Sequence, residues 1–328
     1  MEQTLSILSP SNDPAFNLAV EEYLLKNRKE DVHLFYINSP SVIIGKHQNA
    51  LAEINLSYIE QKGIPLFRRL SGGGTVYHDL GNINYCFIKT GEPGDLVNFK
   101  KATEPITTVL NACGIPARSG QRNDLLVHYK KISGNACHVF KSRVMHHGTL
   151  LFDTNLSHLT ESLKSDAIRF RDKAVKSVRS EVINLKEALG KEWSTETFLR
   201  NLESALRNIT PGCIKYDLTR SEQETIRKMK TEKYDTWEWN YGYGPTYSFR
   251  KRIQTDGAVF SVDMEVVKGK ISEIKLVTNH PVNTLANSII QAFTGCYHHK
   301  ETLSQKLKEI QTEIPQLPNP DNLIPLFF

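Results

Sequence analysis

The chain has 328 residues, 39% of them hydrophobic and 23% charged, an ordinary balance for a globular protein and long enough for one large domain or a large domain with a small companion. A formal charge of +5 without any Lys/Arg block gives no compositional reason to expect a nucleic-acid partner. Five scattered cysteines (Cys86, Cys113, Cys137, Cys213, Cys296) without a CxxC pair argue against a disulfide framework and a zinc ribbon. With no targeting segment at the amino terminus and no membrane-length apolar run, the expected setting is the cytoplasm.

Asn12-Asp13-Pro14 followed by the apolar periodicity of Ala15 to Leu25 predicts a capped helix with proline in its first turn. Strands are predicted at His33–Ile37, Val42–Ile44, Ile64–Phe67, Thr75–Tyr77 and Ile83–Ile88, and a helix from Phe99 to Cys113, ended by Gly114. Further strands are expected at Leu125–Tyr129, from Lys131 onward, and at Val144–Phe152. From Leu156 to Leu206 the pattern is helical, with a basic interruption at Arg169 to Arg179. The aromatic, Gly/Pro-rich stretch Trp237 to Pro245 predicts a structured connection. Beyond it come a hairpin (Ala258–Val267 with Ile271–Leu276) and two helices (Asn283–Phe293 and Lys300–Ile310). Strands and helices that do not strictly alternate predict an α+β fold with mixed or antiparallel sheets and flanking helices, followed by a small α+β domain.

Arg68-Arg69-Leu70-Ser71-Gly72-Gly73-Gly74-Thr75-Val76-Tyr77-His78-Asp79 is the most informative stretch. Three glycines remove side-chain bulk, so backbone N–H groups can close on a ligand, and each preceding arginine brings a fork suited to phosphate or carboxylate. The strand-like flanks fit neither a P-loop nor a dinucleotide fingerprint, both of which open a helix. The plain alternative is a tight hairpin turn, for which the arginines and the trailing His-Asp would have no use. Two further clusters follow. One is Arg122-Asn123-Asp124 with Lys130-Lys131-Ile132-Ser133-Gly134-Asn135-Ala136, and the other is Arg143 to Leu151 with its His146-His147 pair. Strand alternation turns the two histidines to opposite faces, so they cannot share one metal. Arginine, a Gly-rich turn, a carboxylate and Lys-x-Ser-Gly together make a parts list for handling a phosphate with a metal ion.

These clusters, with Asn17-Leu18-Ala19-Val20-Glu21-Glu22, Ile44-Gly45-Lys46-His47-Gln48-Asn49, Ser177-Val178-Arg179-Ser180 and Trp237 to Gly242, run in one order along nearly the whole chain. In that order the chain resembles the lipoate–protein ligases, within the group that also holds biotin–protein ligases and lipoyl/octanoyl transferases. The resemblance implies a catalytic domain over 1–242 and an accessory domain over 243–328. It implies activation of lipoate by ATP to lipoyl-AMP, then transfer to a lysine of a lipoyl domain, on a 2-oxoacid dehydrogenase E2 subunit or the glycine-cleavage H protein. Lys131 maps onto the catalytic lysine, while Lys130 turns to the other face. Arg69, the backbone of Gly74, Thr75, Val76 and Tyr77, and Arg179 map to ATP binding. Asp124 maps to a Mg²⁺ carboxylate, and Ser71, Gly72, Gly73, His78 and His147, with Lys131, map to the lipoate pocket. Arg143 and the segment from Lys173 to Arg179 are expected in loops that close over the adenylate.

Related transferases carry the acyl group on a cysteine, placed near Gln121–Asn123 in one subfamily and near Val144 in another. Neither place holds cysteine here, and Cys137 matches neither. Biotin ligases place arginines inside and after a Gly-Arg-Gly turn, unlike this uninterrupted glycine run. A transferase that uses only preformed lipoyl-AMP, and a carrier-binding module without catalysis, share the fold. Retention of Arg69, Asp124 and Lys131 argues against the latter. Octanoate is a second acyl substrate compatible with the pattern.

Overall fold

A computed structural model describes residues 3–91, 96–190, 192–282 and 284–328; Met1, Glu2 and Asn283, the predicted start of a C-terminal helix, lie outside the described residues. The strands begin with β1 (Thr4–Leu8), β2 (Asp31–Ile37), β3 (Ser41–Ile44), β4 (Leu66–Arg68) and β5 (Val76–His78). Then come β6 (Asn82–Thr90), β7 (Arg118–Ser119), β8 (Asp124–Val127), β9 (Lys130–Phe140) and β10 (Arg143–Leu151). The last are β11 (Phe170–Asp172), β12 (Cys213–Lys215), β13 (Tyr247–Thr255), β14 (Ala258–Val267) and β15 (Lys270–Thr278).

Among the described residues they form three sheets. The largest runs β12-β1-β2-β6-β10-β9-β8-β7, parallel at β12-β1-β2 and antiparallel from β2 onward, so the fold is α+β with a mixed sheet, as the sequence predicts. The helix Pro14–Asn27 starts where Asp13 accepts the N–H groups of Ala15 and Phe16, and it is buried on nearly every side. That burial places Glu21 and Glu22, 2% and 3% exposed, inside the protein. Lys26, Lys233 and the Tyr234 hydroxyl all reach Glu22, and these partners hold its carboxyl below the usual range against the cost of burial.

The second sheet, β4-β3-β5, decides what the glycine stretch is. β3 pairs parallel with β4 and antiparallel with β5, so the strands on either side of Gly72-Gly73-Gly74 are not partners. The stretch is a loop across the end of a central strand, and the hairpin-turn alternative falls. Only Gly73 of the three takes a left-handed backbone, at φ 84°.

The expected strand Leu125–Tyr129 ends at Val127. His128 and Tyr129 take φ 48° and 65° as a two-residue turn into β9, a geometry that matches strand twist. The stretch read as helical from Leu156 to Leu206 holds helices at Leu156–Ser162, Leu185–Leu189 and Thr195–Ile209. Phe170–Asp172, inside the expected basic interruption at Arg169 to Arg179, is a strand paired with Tyr247–Phe249. Three residues show no periodicity, and what selects the strand is the packing of Phe170 against the core formed by β13–β15 and the C-terminal helices. That third sheet, β11-β13-β14-β15, turns at Asp256-Gly257 and at Lys268-Gly269, all four residues left-handed. No helix among the described residues is long and apolar enough to cross a membrane.

Candidate active site

The three motif clusters converge on one cavity of about 300 Å³ between the Gly loop, the β8–β9 hairpin, β10 and the segment 175–180. Of the residues predicted for the site, Arg69, Gly73, Gly74, Thr75, Val76, His78, Asp124, Lys131 and His147 line it. Ser71 and Gly72 stand behind the wall. The Tyr77 side chain packs elsewhere, stacked on His158 with ring centroids 6.4 Å apart, and Tyr77 pairs with Val42 without lining the cavity. Arg179 is exposed and does not line the cavity.

Lys131 is placed by strand pairing on both sides. Its N–H donates to Glu181 O at 2.8 Å, its own carbonyl accepts from Ile183 N–H at 3.1 Å, and β9 lies against β8. The side chain turns inward over Gly134, where an added Cβ would sit 3.1 Å from Nζ. Burial lowers the Lys131 pKa while the Asp124 carboxylate opposes the shift. Lys130 points away, with Nζ 2.7 Å from Glu181 at an exposed position. Asp124 Oδ1 accepts the Arg122 N–H at 3.2 Å, and Asn123 holds φ 57° to bring the pair to the cavity edge. Among the described residues no three His, Cys, Asp or Glu side chains are grouped to hold a metal, so Asp124 stands as a single carboxylate.

The paired arginines divide their work. Arg68 is fully buried; its Nε donates to Trp239 O (3.0 Å), Nη1 to Gly45, Lys46 and Gln48 O (3.1, 3.1 and 2.7 Å) and Nη2 to Asn240 O (2.9 Å). The expectation that both arginines serve a ligand is therefore corrected. Arg68 bolts the 45–48 turn to the 239–240 segment, and burial lowers its pKa to about 10. The Arg69 guanidinium is on the cavity, with Nη2 donating to Gly72 O and Gly74 O (2.6 and 2.7 Å) and Nη1 to Ile43 O (3.1 Å), so it sets the curvature of the loop. Arg143 is likewise corrected. It opens β10 rather than a mobile loop, and its guanidinium donates to the carbonyls of Arg28 and Glu30.

A hydrogen-bonded chain behind the wall went unrecognised in the sequence. Tyr36 O–H donates to Glu21 (2.9 Å), and His147 Nδ1 lies 2.9 Å from the same carboxylate. His147 Nε2 meets Ser71 Oγ at 2.6 Å, and Arg69 Nε donates to that oxygen at 2.9 Å. A carboxylate on Nδ1 fixes the N–H there, so Nε2 accepts the Ser71 proton. The geometry is that of a hydrolytic triad. Ser71, however, is fully buried and already accepts from Arg69, so the chain positions the loop instead of supplying a nucleophile. The signal that could have found it is two adjacent acids, Glu21-Glu22, in a helix without a polar face. On the opposite face of β10, His146 packs edge-on against Phe99, as strand alternation predicts. His78 accepts from Asn38 Nδ2 at Nδ1 (3.0 Å), lines the cavity, and is pushed down to about 3, first by burial and then by Arg69. Cys137 does not line the cavity, and burial pushes its thiol up, away from the reactive thiolate.

Gly45 is a further requirement that the motif hides. A Cβ there would lie 2.3 Å from Gly73 O and 3.2 Å from Arg69 Nη2. Because the obstacle is backbone, Gly45→Ala is expected to displace the Gly loop and lower kcat/KM roughly 100-fold, the scale of an ångström-level misplacement. Steady-state kinetics beside a thermal melt checks this; near-normal kinetics would show that loop position does not limit the reaction.

Residues 13–207 match the model of the lipoyl protein ligase A/B catalytic domain, and residues 244–324 that of the bacterial lipoate protein ligase C-terminus. The chain is 42% identical to lipoate-protein ligase LplJ of Bacillus subtilis over 269 residues, 81% of each protein. A lipoate-protein ligase A solved with bound ATP superposes with a TM-score of 0.63 at 27% identity, over 74% of this chain and all of that one. A bipartite lipoate protein ligase from Thermoplasma acidophilum, described with its E2 lipoyl domain, gives a TM-score of 0.63 at 29% identity, over 74% of this chain and 97% of that one. With the catalytic model covering more than half of its length and a relative at this identity covering four fifths, the chain belongs to the lipoate–protein ligase family.

Proposed function

We propose that this protein activates lipoate with ATP and passes the lipoyl group to a lysine of a lipoyl-domain carrier. The observation that carries the reading is the convergence of Arg69, the Gly loop, Asp124 and Lys131 on one cavity, in a chain of this family. In the first step a lipoate carboxylate oxygen attacks the α-phosphorus and the bond to pyrophosphate breaks. In the second, the carrier lysine amine attacks the lipoyl carbonyl, the bond to AMP breaks and AMP leaves. The Lys131 ammonium stabilises the negative charge that grows in each step. Arg69 and the backbone of Gly74 to Tyr77 hold the nucleotide, with Arg179 reaching it from the exposed segment. His78, His147 and Gly73 bound the acyl chain, with Ser71 and Gly72 supporting that wall. Asp124 fits Mg²⁺, which takes one or two carboxylates and completes its shell with phosphate oxygens and water, and which would neutralise phosphate charge when bound.

The catalytic part is taken as 1–242 and the accessory part as 243–328. Glycine-cleavage H protein beside E2 lipoyl domains, octanoate as a second acyl substrate, and the cytoplasm as compartment complete the proposal. A transferase using only preformed lipoyl-AMP is the competing reading. The discriminating measurement is pyrophosphate release with lipoate and ATP in the absence of carrier. Release at a stoichiometry of about one per enzyme in the first turnover is expected, whereas silence with retained transfer from supplied lipoyl-AMP would leave only the transferase.

A further inference from the structure

The segment 173–180 forms one wall of the cavity through Val175, Lys176, Ser177, Val178 and Ser180, yet none of its residues is buried. With no apolar anchor, it is held by polar contacts, and several of these run to one short stretch of chain. Ser177 donates its N–H to Glu53 Oε2 at 3.2 Å, and its hydroxyl donates to the same oxygen. Gln48 Nε2 donates to Val175 O (3.3 Å) and Ser177 Oγ (3.2 Å), while Gln48 Oε1 accepts the Gly45 N–H and the Thr75 hydroxyl (2.8 and 3.0 Å). On the Gly-loop side, Thr75 N–H donates to Ser177 Oγ at 2.9 Å. Glu53 is 5% exposed and does not line the cavity. Burial raises its pKa against the Ser177 donors, so its carboxyl is retained in a place that apolar packing would fill more cheaply.

We propose that Glu53, Gln48 and Ser177 are positioning residues that clasp this strap onto the Gly loop and so keep water from the acyl-adenylate, an inference that rests on the ligase reading above. A strap fastened only by hydrogen bonds to a buried carboxylate and amide opens for substrates and recloses without repacking a core. While it is shut, the mixed anhydride meets the carrier amine but not bulk water. When the clasp fails, water attacks the lipoyl carbonyl, the carbonyl–oxygen bond to AMP breaks, and free lipoate and AMP leave. ATP is then consumed without lipoylation.

The test is the steady-state rate of AMP release by the full-length enzyme with lipoate, ATP and magnesium but no carrier, alongside pyrophosphate release in the first turnover and a thermal melt. Glu53→Gln, which replaces the charged acceptor of both Ser177 bonds by a neutral one, and Ser177→Ala, which removes the hydroxyl's bonds to Glu53, Gln48 and Thr75, are expected to raise carrier-free AMP release about five- to tenfold or more. First-turnover pyrophosphate is read in parallel, so that AMP release is scored per adenylate formed. Ser177→Ala lies on an exposed segment, so it remains informative if Glu53→Gln fails to fold. Unchanged AMP release in Ser177→Ala would overturn the proposal, as would a fall of all rates in proportion to stability. A lower KM for ATP without leakage would overturn it too, by making the strap an obstacle to nucleotide. Absence of pyrophosphate release from the wild-type enzyme would refute the ligase reading instead, a distinct outcome.

Discussion

Lys131→Ala is expected to slow both half-reactions, pyrophosphate release from lipoate and ATP and acyl transfer from supplied lipoyl-AMP, by about 100- to 1,000-fold, the effect of removing one charge-stabilising donor. The expectation follows from its place. The ammonium lies over Gly134 beside Asp124, on a strand whose pairing along both edges fixes where the side chain starts. Lys130→Ala is the internal control. Its Nζ pairs with exposed Glu181, an interaction that solvent screens, so rates within roughly twofold of wild type are expected. Measuring the half-reactions separately decides the assignment. If Lys131→Ala retained either one at a near-normal rate, the single-lysine mechanism would be wrong.

Arg68 should show the largest effect on stability. Truncation to alanine leaves the carbonyls of Gly45, Lys46, Gln48, Trp239 and Asn240 without their shared donor in a site closed to water. Each buried unsatisfied group costs about 1–3 kcal/mol, and partial relaxation brings the sum to roughly 3 kcal/mol or more. The melting temperature should fall by roughly 5 °C at this size. Arg68→Lys should fare little better, since an ammonium cannot span carbonyls that approach a planar fork from three sides. Arg69 substitutions, by contrast, should act on the loop and its ligands first. A stable Arg68→Lys enzyme with weakened ATP binding would reverse this division and return Arg68 to the nucleotide.

The division between the two arginines also marks what could be read from the chain alone. Residues 68 and 69 are chemically identical, and nothing in Arg68-Arg69 says which one turns towards Trp239 and which towards the cavity. Alternation along β4 and the position of the 239–240 segment, distant in sequence, decide it. The sequence by itself determined what rests on local chemistry. The Asp13-Pro14 cap, the Lys130/Lys131 alternation, the opposite faces of His146 and His147, and the absence of cysteine at the transferase positions all belong there. So does the order of motifs that carries the family resemblance.

Tertiary structure decided what rests on contacts remote along the chain. Phe170–Asp172 became a strand because Phe170 packs into a core built mainly from residues after 246. Arg143 became a strand-opening anchor because the Arg28 and Glu30 carbonyls lie beside it. Glu21 met His147, and through it Ser71, only once a helix, a strand and a loop were folded against one another. Glu53 carries no motif signature, and its role exists only because Ser177, 124 positions later, lies against it. Propensity and periodicity act over a few residues, whereas a buried carboxylate takes its meaning from whichever donors the fold delivers to it.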